Sequence, residues 1–154
     1  LVAQVPLIVR HPDTGSYAGK RVDALVSIAD YMPTLLRLIG AEPPATVDGK
    51  DFWTLVTGEN DRIHDEVYTG FGSFASIRTT RWHYFENLKT VGSIGTEPDA
   101  YDFRKAAQAP DRGKGPCLYD LQNDPSETSN VAEKHLNAVK DLRGKLARRF
   151  GLGT

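Results

Sequence analysis

Val5-Pro6-Leu7-Ile8-Val9 is a continuous apolar run, β-branched at Val5, Ile8 and Val9, and it ends in the polar turn formers His11-Pro12-Asp13-Thr14-Gly15. A short apolar run of this kind reads as a strand buried on both faces, which requires neighbouring strands in the sheet and helices covering it. Only one other segment of the 154 residues could serve as such a strand. The run therefore reads as the edge of a large mixed sheet completed by sequence outside the chain. The opening at Leu1, the single methionine Met32 and the lack of a basic stretch leading into a long apolar segment support an expectation that these residues are the later part of a longer chain.

Two further patterns follow. Leu25, Ile28, Ala29, Met32, Leu35, Leu36 and Ile39 recur at helical spacing, so a helix is expected within Asp23 to Gly40, with Val22 to Ser27 as an alternative extended lead-in. Asp30 with Pro33 resembles a helix start and Gly40 a stop. Asp51 to Thr57 reads as one or two further helical turns ending at Gly58. From Glu66 the period changes to two: Glu66 to Gly70, Ala75 to Thr79, Trp82 to Leu88 and Cys117 to Leu121 read as strands, with Thr79-Thr80-Arg81 as a tight hairpin connection. Val131, Leu136, Val139, Leu142, Leu146 and Phe150 then mark a closing amphipathic helix. The expected fold class is α/β, α+β for this portion: residues 1–60 form the end of an α/β domain, and residues 61–154 a small antiparallel sheet packed on a C-terminal helix.

Composition excludes several function classes. At 40% hydrophobic and 25% charged residues the chain is an ordinary globular sequence, and no apolar run approaches membrane-spanning length. Nineteen basic against 20 acidic residues, a net charge of -1, argue against a dedicated nucleic-acid binder. The one cysteine, Cys117, forms no internal disulfide and reads as a small buried side chain. His11, His64, His83 and His135 share no metal-ligand spacing, and Asp48-Gly49-Lys50-Asp51 fails the calcium-loop pattern and reads as a turn into a helix. Gly70-Phe71-Gly72 lacks the third glycine of a dinucleotide loop, and no nucleophile elbow is present. Arg78, Arg81 and Lys89, interleaved with Trp82, Tyr84 and Phe85, form either a solvated strand face or a contact for an anionic or sugar ligand, and His83 either faces a pocket or is a half-buried sheet histidine. By chemistry alone the residues compose no catalytic set.

Four blocks, in order, resemble the later part of the sulfatase family of the alkaline-phosphatase-like superfamily. They are Val5 to Val9; Ser27-Ile28-Ala29-Asp30-Tyr31-Met32-Pro33-Thr34-Leu35-Leu36 with Gly40 and Asp48-Gly49-Lys50; Ser76 to Tyr84; and Leu118-Tyr119-Asp120-Leu121-Gln122-Asn123-Asp124-Pro125-Ser126-Glu127 with Asn130. The last block is the most specific. Gln4 stands where relatives commonly carry Arg.

The resemblance implies a sulfuric-ester hydrolase whose parent enzyme uses a formylglycine nucleophile and a divalent cation, usually calcium. Neither set carries over. Cys117 is followed by Leu118-Tyr119-Asp120-Leu121, without the Pro and Arg of the formylglycine motif, and the family's cation- and sulfate-binding motifs precede the Val-Pro strand. The expectation is thus no catalytic and no metal-binding residue in this chain, with the N-terminal part of the sulfatase domain as its partner and a sulfate ester as substrate of the whole enzyme. The resemblance places the small sheet near the pocket mouth, which makes His83, Phe71 in the Gly70 to Phe74 loop, Arg81 and the Lys89 to Pro116 segment candidates for substrate selection. The alternatives are a non-catalytic binding or assembly module, and a phosphate or phosphonate ester hydrolase of the same superfamily.

Overall fold

The computed structural model of the protein describes residues 5–12, 17–71, 74–87 and 116–151. Two compact units divide between Val67 and Tyr68.

The first unit is organised around helix α1, Tyr31–Leu38, which continues a 3-10 turn over Ile28–Asp30. The sequence placed the helix start at Asp30; the structure puts it at Ser27, whose hydroxyl accepts from Ala29 N–H while the Asp30 carboxylate accepts from Ser27 N–H. This reciprocal capping satisfies donors that a helix N-terminus leaves orphaned. Gly40, at φ +77°, closes the other end, with its N–H on Arg37 O and that of Ala41 on Leu36 O. The Thr34 hydroxyl, fully buried, donates to Asp30 O at 2.6 Å and accepts from Phe52 N–H at 3.0 Å, so it locks α1 against the start of α2, Trp53–Thr57.

The expected buried strand at Val5 to Val9 is not found: these residues join no ladder among the described residues, and Ile8 is 90% exposed. A strand is stable only when a neighbour takes its backbone N–H and C=O groups, and the described part of this unit offers none before β1.

The second unit is a four-stranded sheet in the order β1 (Glu66–Phe71), β2 (Phe74–Thr79), β3 (Trp82–Asn87), β4 (Cys117–Asp120), with β2–β3 and β3–β4 antiparallel. The register aligns Ile77 with Tyr84 and Tyr84 with Leu118, three side chains with no exposed surface. Helix α3, Leu136–Arg149, lays Leu142 and Leu146 on that face, and Ala75 and Ala132 complete the core. Alternate residues belong to the opposite face, where Arg78 aligns with His83 and His83 with Tyr119. The Thr79 side chain tightens the hairpin by accepting from Trp82 N–H at 2.8 Å. The expected closing helix is thus shorter at its start: a 3-10 turn, Ala132–Lys134, precedes it, and His135 occupies its N-cap with its ring 5.0 Å from Trp82.

Candidate functional site

The turn after β4 gathers polar side chains of the most specific sequence block, and Asp120, Asn123, Asp124, Glu127 and Asn130 all bind neighbouring groups of the scaffold. Asp120 accepts from the Arg81 guanidinium at 3.1 Å, the Asn123 amide and Gln122 N–H. Burial opposes its ionisation, but these donors outweigh that and hold its carboxyl below the usual range. The Asp124 carboxylate, held low chiefly by Ser129 N–H despite partial burial, also takes the N–H and hydroxyl of Thr128. Asn130 Oδ1 accepts from Leu118 N–H and Ala132 N–H, both at 3.0 Å, which occupies a strand donor at the β4 edge.

Glu127 is the centre of the group. It adopts φ +54°, a left-handed conformation that non-glycine residues rarely take, and its side chain is 2% exposed. One carboxylate oxygen lies 3.0 Å from Arg78 Nη1, the other 3.1 Å from His83 Nδ1. His83 Nδ1 thus faces the second carboxylate oxygen at contact distance. Burial pushes the Glu127 carboxyl up, yet the His83 and Arg78 contacts prevail and hold it below the ordinary value of 4.5. A residue 49 positions from Arg78 in sequence thereby ties the turn to adjacent positions on β2 and β3.

On the α3 face lies a second polar chain. The buried Tyr84 hydroxyl donates to Glu86 Oε2 at 2.7 Å, and Glu86 Oε1 meets Arg143 of α3 at 3.0 Å. Burial, then the Glu86 carboxylate, pushes the Tyr84 phenol far above its usual range.

The first unit has its own buried carboxylate. Asp30 is fully inaccessible; it accepts from Ser27 N–H at 2.7 Å and Lys50 N–H at 2.8 Å, and both its oxygens lie 2.9 Å from His64 Nε2. Gly49 packs so closely under this junction that a Cβ there would overlap the Ala29 carbonyl. An open depression of about 410 Å³ nearby is lined by Pro33, Arg37, Pro43, Pro44, Lys50 and Asp51, among others.

The structure does not assemble the three sequence candidates into one site. His83 is buried against Glu127, not half-buried, and stands 6.4 Å from Tyr119 between ring centroids. Arg81 is engaged by a different carboxylate, Asp120, and lies over the Trp82 ring at 4.5 Å. The Phe71 backbone ends β1; its side chain, Gly72, Ser73 and most of the Lys89 to Pro116 segment lie outside the described residues. Glu127, Asn130 and His64 were not singled out by sequence reasoning. Glu127 and Asn130 stood inside the recognised block, whereas nothing near His64 in sequence points to Asp30.

Among the described residues, neither group that the fold family implies finds residues that fit it. Cys117 is a buried strand residue in a sequence context unlike that of a formylglycine precursor. Among the described residues no group of three or more His, Cys, Asp or Glu is placed to hold a metal ion. No helix among them is long and apolar enough to cross a membrane.

The fold is that of the α/β sulfatase class. A 2-O GAG sulfatase shares it at 23% identity with a TM-score of 0.57, over 78% of this chain and 23% of that one. The phosphonate monoester hydrolase of Agrobacterium radiobacter also shares it, at 23% identity with a TM-score of 0.56, over 85% of this chain and 26% of that one. The C-terminal family of N-sulphoglucosamine sulphohydrolase matches residues 2–150, and the chain belongs to that sulfatase family. Among curated relatives, the ulvan-active sulfatase of Formosa agariphila is 28% identical over 94% of this chain and 32% of its own length. Arylsulfatase A of Bos taurus is 33% identical over 77% of this chain and 26% of its own length. The chain thus spans about a third or less of the relatives it matches.

Proposed function

We propose that this chain supplies the C-terminal part of a sulfuric-ester hydrolase, as scaffold and as part of the pocket rim, and that the catalytic groups come from sequence N-terminal to the matched region. The observation that carries this reading is the family match over residues 2–150. Its scaffold role is supported by the turn after β4, where Asp120, Asp124, Glu127 and Asn130 all bind neighbouring groups of the fold.

In this reading the whole enzyme acts on a sulfate ester, with a formylglycine and a divalent cation, usually calcium, held by its N-terminal part. No step is assigned to His83 or Arg81, because each is held against a carboxylate of the scaffold, Glu127 and Asp120 respectively. A rim contribution is left to the Phe71 loop and the 89–116 segment.

The test joins this chain to the N-terminal portion of the Formosa agariphila sulfatase in place of that protein's matched region. The purified chain alone, supplied with calcium, is expected to leave aryl sulfates intact, and the joined protein to hydrolyse them. Calcium-dependent turnover by the chain alone would overturn the assignment of catalysis to the N-terminal part. Absence of sulfate-ester turnover in a folded joined protein would overturn the scaffold role.

A further inference from the structure

Helix α3 concentrates positive charge that the chain as a whole does not have. Leu136–Arg149 holds five basic residues and one acidic, +4 over 14 residues, in a chain whose total is -1, so the other 140 residues carry -5. One side of the helix packs on the sheet through Leu142 and Leu146. The other side is basic, with Lys140, Arg143 and Arg148 all exposed.

Part of this charge has a structural use. Arg143 meets Glu86 at 3.0 Å, though its side chain stays 63% exposed; Lys145 lies 3.8 Å from Asp141, and Arg149 stands over the Tyr68 ring at 5.9 Å. Arg148, in the last turn, favours the negative end of the helix dipole. Lys140 sits mid-helix, where the dipole gives nothing, and neither Lys140 nor Arg148 has an ion-pair partner among the described residues. A face that only keeps a helix soluble interleaves acids and bases three or four residues apart. Lys140 and Arg143, three apart, repel instead.

Gly144 gives the face its shape. Lys140, Gly144 and Arg148 follow at intervals of four, one above the other along the helix, with Arg143 beside them. Glycine weakens a helix interior, yet nothing in the fold requires it here. Its φ is not positive, and a Cβ would meet only Arg148 Nη1, at an ordinary 3.7 Å. What the missing side chain leaves is bare backbone with a guanidinium leaning over it and two further cations within about one turn.

The chemistry of the occupant follows. Three cations spread from Lys140 to Arg148, about 12 Å of helix, suit several anionic groups on one extended chain, and guanidinium forks match oxyanions. A rigid duplex is broader than one helix and would also meet the acidic remainder of the chain, and the face offers no aromatic platform to a single strand. A membrane surface requires an apolar face beside the cations, and Leu136 is the one large apolar residue that α3 exposes. A flexible sulfated polysaccharide is narrow enough to follow the stripe and carries the group that the whole enzyme is proposed to hydrolyse.

We propose that the outward face of α3, Lys140, Arg143 and Arg148 around Gly144, binds a sulfated polysaccharide chain. The whole enzyme then holds a polymeric sulfate ester through more than the ester it cleaves, which raises the effective concentration of that ester. The inference rests on the reading under Proposed function and adds a surface on which the polymer is held.

The test follows binding of fluorescein-labelled dextran sulfate to the purified chain by fluorescence anisotropy, with neutral dextran as control. The chain is expected to bind dextran sulfate, more weakly as salt rises, and not dextran; failure to bind dextran sulfate would overturn the proposal. Gly144→Glu sets a carboxylate four residues from both Lys140 and Arg148. It is expected to keep or raise the urea midpoint, since it replaces a helical glycine and adds an ion pair, and to weaken binding about tenfold or more, the worth of one charged contact. Lys140→Gln with Arg148→Gln is expected to weaken binding at least as much. Arg21→Gln with Arg62→Gln removes two exposed cations elsewhere and is expected to leave it unchanged. Wild-type affinity in the α3 variants would overturn the face, as would an equal loss in the Arg21 and Arg62 variant, because binding would then follow net charge alone. A duplex oligonucleotide or phosphatidylserine vesicles bound as tightly as dextran sulfate would overturn the polysaccharide as occupant. The face and the sulfatase reading fail separately. Aryl sulfate turnover by the joined protein, with dextran sulfate binding unaltered by Gly144→Glu, would remove the face alone; binding lost with Gly144→Glu in a folded joined protein that hydrolyses no sulfate ester would remove the sulfatase reading alone.

Discussion

Replacing Glu127 by Gln keeps the shape of the side chain and removes its charge. In the wild type the carboxylate is 2% exposed and faces Arg78, 27% exposed, and His83, 6% exposed. Removing one member of a fully buried pair costs about 3–5 kcal/mol, and of an exposed pair at most about 1 kcal/mol. The partial exposure of Arg78 and the one hydrogen bond that Gln can still accept place this case between them, at about 2 kcal/mol. For a unit of this size that lowers Tm by roughly 8–16 °C. The pH dependence carries an internal check. Because the native carboxyl is held below 4.5, its contribution is complete above that value and is lost as pH falls through the lower, native one. The difference between wild type and Glu127→Gln is therefore expected to shrink in acid, as pH falls through the lowered native value of the carboxyl. Urea unfolding at several pH values, followed by circular dichroism, measures it. A difference under about 0.5 kcal/mol at neutral pH, or one that grows in acid, would refute the clamp. The backbone adds a second handle: at φ +54° Glu127→Gly should be about 1 kcal/mol more stable than Glu127→Ala, since only the latter retains left-handed strain.

Three further outcomes follow from the packing. Gly49→Ala forces a methyl group into the Ala29 carbonyl, a backbone atom with little room to yield, and is expected to cost about 3 kcal/mol in urea unfolding. Asp30→Asn turns an amide NH2 toward Ser27 N–H, Lys50 N–H or His64, leaving donor against donor in a buried site; a loss of about 2–4 kcal/mol is expected, with native-state hydrogen exchange faster at Lys50. Leu146→Ala empties a fully buried position under α3 and should cost about 2–5 kcal/mol, seen as a lowered calorimetric Tm.

What was legible in the sequence is what depends on near neighbours. Alternation marked β2 and β3 to within a residue, and the spacing of Leu142 and Leu146 marked the face that α3 lays on the sheet. Periodicity also found the apolar positions of α1, but it reports that a face is suited to burial and not what covers it: Met32 and Leu35 are exposed, and the side turned inward was decided by Thr34 and Asp30, through partners 18 and 20 residues away. Val5 to Val9 failed as a strand for a related reason, since a strand is a property of a pair. The candidate site was less legible. His83 and Arg81 were noticed for their chemistry, yet their partners Glu127 and Asp120 lie about 40 residues on and are reached only through the β3–β4 register.

The Tyr84, Glu86 and Arg143 chain gives α3 something its leucines cannot. Apolar contact has no direction, so Leu142 and Leu146 alone would tolerate the helix sliding by one turn, about 5.4 Å, along the sheet. Such a slip would carry Arg143 away and leave the Glu86 carboxylate to the buried Tyr84 hydroxyl alone, without a counter-charge. The chain therefore works as a detent: it selects one rest position on a surface that is otherwise smooth. With that position fixed, the opposite face of the sheet, which carries Arg78, His83 and Tyr119, is presented at one angle and one height to whatever it meets.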